Sequence, residues 1–148
     1  MDGTDPNDPL AGATAAYYGY AEPVDKARPG DFAALFTAEG VFLDDAVVGP
    51  EAIAKRCRAL LRQLDATSHH LSNIRIVSAS AGETEARAYV YAWHQFTGGK
   101  MVEAWGRYQS KLRYEKGRWR LGEHRFQAAG VRPPGGLGPG APVPRADV

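Results

Sequence analysis

Two histidines, His69 and His94, are the side chains in this sequence best suited to moving protons. An imidazole with an ordinary pKa of about 6.5 can give or take a proton near neutral pH. Two of them on adjacent strands can divide acid and base roles, or hold one water between them. His70 follows His69 directly, so in a strand it must face the other way. Three carboxylates could complete a relay: Asp25, where the first helical segment ends, and Asp44 or Asp45, where a short strand ends. A carboxylate at a pocket mouth is expected to have its pKa raised by burial and to act as a base. Tyr108 would orient a substrate, and Tyr18, Phe96, Ser110 and Trp119 would line the space around it. Asp31 sits where a helix N-cap belongs, and Asn73 reads as a residue tying its strand to a neighbour. Of Glu123 and His124 on the last strand, one must face the pocket; alternation alone leaves open which.

These residues must be positioned by a small number of elements. A helix is expected over 11–25, on three- and four-residue spacing of Ala11, Ala15, Tyr18 and Ala21. A short helix follows over 32–36, then a strand at 41–43 and a hairpin return at 47–49. Pro50 starts a helix running to about Leu64, with Ile53, Cys57, Leu60, Leu61 and Leu64 as its apolar stripe. Four long strands are expected over 68–79, 83–97, 101–115 and 118–128, separated by Gly82, Gly98-Gly99 and Lys116-Gly117. Helices followed by an antiparallel meander predict an α+β fold, with helices on the concave face of a curved sheet. In the second and third long strands, one face carries Ala86, Ala88, Val90, Ala92, His94 and Phe96 with Val102, Ala104, Gly106, Tyr108, Ser110 and Leu112. Its small side chains leave room for helices and a ligand. The opposite face carries Tyr91, Trp93 and Trp105, an aromatic surface of the kind found at interfaces, and predicts a homodimer.

The bulk numbers bound the rest. A chain of 148 residues with 44 % hydrophobic and 24 % charged residues has room for one soluble domain. That domain is expected over 11–130, between a frayed segment at 1–10 and a Pro/Gly-rich disordered tail at 131–148. A net charge of +1 offers no field for nucleic acid or an anionic membrane. A lone cysteine, Cys57, rules out an intrachain disulfide and a cysteine zinc cluster, and fits a reducing cytoplasm. No apolar run suggests a signal peptide or a spanning helix. His69, His94 and a carboxylate lack the tight spacing of a metal site, and no phosphate-binding loop is present, so neither metal nor cofactor is expected.

Three segments resemble the SnoaL-like family of the NTF2-like superfamily, and together they cover roughly residues 11–128. Thr67-Ser68-His69-His70-Leu71-Ser72-Asn73 is similar to the family's opening of its first long strand. Asp31 to Phe42, with Leu35-Phe36 and Gly40-Val41, resembles its "D-x-x-x-L-F-x-x-D-G-V" entry, and Gly117-Arg118-Trp119-Arg120-Leu121 its closing strand. The resemblance implies a cone-shaped fold around one internal pocket. Within the superfamily the scytalone dehydratases, which use two pocket histidines and a helix-borne aspartate without a cofactor, are matched by His69, His94 and Asp25. The implied activity is acid–base dehydration, isomerisation or cyclisation of an apolar, ring-containing, polyketide-like substrate. A non-catalytic ligand-binding module and an epoxide hydrolase are the alternatives.

Overall fold

The computed structural model describes residues 5–133. Helix α1 spans Pro9–Asp25, α2 Pro29–Ala33 and α3 Pro50–Leu61. The strands are β1 Phe36–Phe42, β2 Asp44–Val48, β3 Leu64–Ser80, β4 Glu83–Phe96, β5 Met101–Glu115 and β6 Arg118–Arg132. They form one sheet in the order β2-β1-β6-β5-β4-β3. The meander β3 to β6 is antiparallel, and β1 joins β6 in parallel. Elements and faces agree with the α+β expectation.

Boundaries differ from the sequence reading in instructive places. Asp8 caps α1 by accepting from the Ala11 amide at 2.9 Å, and Pro9 follows where a missing N–H costs nothing. The helix buries Gly12, Ala13, Ala16, Tyr17, Tyr20 and Pro23, not the stripe through Ala11, Ala15 and Tyr18. Both registers have helical spacing; the long aromatic side chains of Tyr17 and Tyr20 give their register the larger buried surface. Helix α2 begins at Pro29, so Asp31 lies in its first turn instead of capping it, and pairs with Arg28 at 3.3 Å. Helix α3 stops at Leu61 and buries Ile53 and Cys57, while Leu64 already belongs to β3. The expected frayed segment 1–10 contains the α1 cap, and residues 1–4 lie outside the described residues. Strand β6 continues through Arg132, past the expected start of the tail; residues 134–148 also lie outside.

Two bulges decide which side chains face the helices. In β3 the register slips between Ser72 and Arg75, with Asn73 at φ 53°, in the left-handed region that Asn tolerates. Residues Thr67, His69 and Leu71 face inward before it, Ile74 and Ile76 after it. In β6 the register slips beside Gly122, since Lys111 pairs Glu123 while Leu112 pairs Leu121. Trp119 and Leu121 are buried before the slip, His124 after it. Strict alternation from Trp119 would have placed Glu123 inside; the bulge places His124 there. Two glycines allow close approach: the Trp119 indole lies where a Gly12 Cβ would be, and the Phe126 ring crosses Gly106.

Candidate active site

The site forms where the C-terminal end of α1 meets β3. Asp25 is the last residue of α1, and its carboxylate reaches β3 at three points. Oδ1 lies 2.7 Å from His69 Nδ1 and accepts from the Thr67 hydroxyl at 2.7 Å. Oδ2 accepts from the His69 backbone amide at 3.0 Å. Burial pushes the Asp25 pKa up, but the bonds from His69 and Thr67 outweigh it and hold the pKa below the ordinary value. The expectation of a raised pKa was therefore wrong: a carboxylate given three donors stays ionised. An ionised carboxylate only accepts, so His69 carries its proton on Nδ1, and the lone pair of the neutral ring is on Nε2. The His69 side chain is only 6 % exposed.

Around this pair the concave sheet face supplies aromatic and polar groups. The rings of His69 and His94 meet edge to face at 5.5 Å, because Thr67 pairs with His94 and His69 with Ala92. Burial, helped by repulsion from His69, lowers the His94 pKa to about 4, so the ring is neutral at pH 7. Tyr20 packs against His69 at 5.8 Å and against His124 at 4.8 Å. Tyr108 donates to the Tyr20 hydroxyl at 3.2 Å. Burial raises Tyr20 to about 12 and drives Tyr108 well above the usual range, so both keep their protons. Deeper in, Tyr17 lies 3.0 Å from the Ala86 carbonyl and 3.1 Å from Ser110 Oγ, which is 2.8 Å from His124 Nδ1.

The structure brings Asp25, His69, His94, Tyr108 and Ser110 to one face. It does not bring Asp45, which is exposed and bonded to Arg125. Asp44 opens β2 at the far edge of the sheet from β3. Tyr18 is 57 % exposed, on the side of α1 away from the sheet. Trp119 packs against Tyr114 and α1 at the other end of β5 from His94. Phe96 is half-buried at the end of β4. His70 points to the outer face, against Tyr91 at 5.8 Å. Tyr17 and Tyr20 were not singled out as site residues from the sequence, and His124 entered only as one of a pair with Glu123. The spacing Ala13, Ala16, Tyr17, Tyr20 was the available signal for the tyrosines. Among the described residues, no group of three His, Cys, Asp or Glu side chains is arranged to hold a metal ion. No described helix is long and apolar enough to cross a membrane.

The same architecture occurs in solved structures. A candidate scytalone dehydratase from Novosphingobium aromaticivorans superposes with a TM-score of 0.84 at 23 % identity, over 97 % of this chain and 99 % of that one. A LinA type 3 hexachlorocyclohexane dehydrochlorinase from Novosphingobium barchaimii gives 0.76 at 17 % identity, over 92 % and 97 %. A protein designated Aln2 from Streptomyces gives 0.70 at 21 % identity, over 86 % and 94 %. At such identities the likeness establishes the NTF2-like fold alone. Comparison with curated proteins finds no significant match. A family model described as a SnoaL-like domain, however, matches residues 12–125. With that match spanning most of the described structure, the chain belongs to the SnoaL-like domain family.

Proposed function

We propose that the protein is a cofactor-free acid–base enzyme that dehydrates, isomerises or cyclises an apolar, ring-containing small molecule. The observation that carries this reading is the Asp25–His69 pair, joined at 2.7 Å beside buried tyrosines. Asp25 holds His69 in the Nδ1–H form and stabilises the imidazolium that appears when Nε2 takes a proton. Nε2 removes the acidic C–H proton beside a substrate carbonyl. Tyr20, whose own hydroxyl already accepts from Tyr108, donates a hydrogen bond to the substrate oxygen that gains charge. His94, kept neutral by burial, hydrogen-bonds the departing or rearranging oxygen, and the proton that oxygen needs returns from the His69 imidazolium. Both Asp25 oxygens are engaged by His69 and Thr67, which favours a positioning role over water activation for epoxide opening. The members of the fold described as a dehydratase and a dehydrochlorinase favour elimination chemistry for this chain too.

The test needs no knowledge of the natural substrate. Incubation with bicyclic ring ketones in D2O should give deuterium at the carbon beside the carbonyl, read by mass spectrometry. His69→Gln should lower that exchange by about 10²–10⁴-fold. Exchange at the wild-type rate in a folded His69→Gln protein overturns the reading.

The outer sheet face supports a homodimer. Tyr91 and Trp105 pack at 5.5 Å, and Trp105 remains 39 % exposed on the same sheet face as Trp93 and the exposed Met101. Exposed aromatic surface of this kind is characteristic of an interface core.

A further inference from the structure

The β3 bulge at Asn73 gathers arginines on the outer face of the sheet. Ser72 pairs with Tyr89 and Arg75 with Arg87, so two residues of β3 stand against Ala88 alone. Strict alternation from Ser72 would turn Arg75 toward the helices. The extra residue sends Ile74 inward and Arg75 outward instead. Arg75 therefore stands directly across from Arg87, and Arg107 directly across from Tyr89, the next outward residue of β4. Like charges directly opposed on a sheet destabilise it, so the arrangement calls for a counter-charge.

The carboxylates of this face are committed elsewhere. Glu85 lies 3.7 Å from Arg87 Nη2 and already accepts from Gln109 at 2.8 Å. Glu103 is tied to Arg132 and Tyr91, and Glu123 to Arg125 and Lys111. Among the described residues, no carboxylate pairs with Arg75 or Arg107. The Arg107 guanidinium lies over the Tyr89 ring at 5.3 Å, a contact that steadies it and leaves its N–H groups free to donate. Arg87 Nε is buried without a hydrogen-bond partner among the described residues. Arg75, Arg87 and Arg107 line one cleft of about 280 Å³, together with Asn73, Ala88 and Tyr89.

We propose that this cleft binds an oxoanion of the phosphate class. The guanidiniums of Arg75, Arg87 and Arg107 donate to its oxygens, the Asn73 amide stands at the bulged edge, and Tyr89 forms a wall. A guanidinium keeps its charge at every physiological pH and matches a phosphate with two parallel N–H donors. The volume leaves room for a small organic group beside the phosphate. His69 and Asp25 lie on the other side of the sheet, so the site stands or falls independently of the proposed reaction.

The test is titration calorimetry of the full chain with inorganic phosphate, at an ionic strength held constant with sodium chloride. One phosphate per chain should bind with a Kd on the order of 1 mM or tighter. Arg75→Gln and Arg107→Gln, both at exposed positions, should each weaken it about tenfold or more. Lys111→Gln, on the same face but paired with Glu123, should leave it unchanged. Phenyl phosphate separates the two sources of this chemistry. Tighter binding than inorganic phosphate assigns the cleft to a phosphate ester, and equal binding assigns it to the free ion. Absence of phosphate binding overturns the proposal, as it would if carboxylates of a second copy filled the cleft. Equal weakening by Lys111→Gln also overturns it, since the attraction would then be that of any positive charge on the face.

Discussion

The Asp25 carboxylate holds His69 by ring and backbone at once, with Oδ1 2.7 Å from Nδ1 and Oδ2 3.0 Å from the amide N–H. The last residue of a helix thereby sets both the ring's tautomer and the strand beneath it. Asp25→Asn keeps the shape and removes the charge. Carbon-acid exchange should fall by about 10²-fold or more, because the amide no longer stabilises an imidazolium. The Asp25 pKa is lower folded than unfolded, so its ionised form stabilises the fold above the ordinary aspartate range of about 4. That contribution disappears as pH falls through the folded value. The stability gap between wild type and Asp25→Asn, read by thermal melts from pH 7 to pH 3, should narrow on the acid side.

His94 and His124 set a second acid limit. Their folded pKa values are about 4 and about 3, below the ordinary histidine value of about 6.5. The unfolded chain therefore binds more protons in that window. Stability from keeping these rings neutral is fully present above about pH 6.5 and is lost as pH falls toward 4 and 3. Denaturant midpoints should drop steadily below pH 6.5, and His124→Phe should flatten the slope.

Tyr20→Phe removes the hydrogen bond that the substrate oxygen would receive. Exchange should fall about 10²-fold while His69 keeps its contact with Asp25. Tyr108→Phe leaves the Tyr20 proton in place and should cost less activity. The two variants, compared on one substrate under saturating conditions, order the two hydroxyls.

Gly106→Ala should destabilise the sheet by about 1–3 kcal/mol. An added Cβ would stand 2.3 Å from the Phe126 ring and 2.4 Å from the Gln127 carbonyl oxygen. Backbone occupies one side of that space, so a side-chain shift alone cannot relieve the clash. Urea unfolding gives the value.

Trp105→Glu should convert a dimer to a monomer in light scattering without changing the far-ultraviolet spectrum. A wild-type protein already of single-chain mass would overturn the dimer proposal.

Much of this site was legible in the residue order. The inward set Ala86, Ala88, Val90 and Ala92, with Val102, Ala104, Tyr108, Ser110 and Leu112, is buried as alternation predicts. A period of two in a long strand has only two phases, and the apolar phase is the inner one. Helix α1 offered several registers of equal spacing, so the phase that buries Tyr17 and Tyr20 was not separable from the phase through Tyr18. Asp25 and Asp45 were equal candidates for His69, since a carboxylate's partner depends on where the chain returns.

From the sequence alone came the element types, the small-residue face, and His69 with His94 on neighbouring strands, because periodicity and turn residues act over a few positions. Tertiary structure decided that Asp25 is the residue gripping His69, since α1 ends over β3 while Asp45 is tied to Arg125. It also decided that His124, not Glu123, points inward. One extra residue at the Gly122 bulge reverses the face of every side chain after it, and no local pattern announces that reversal.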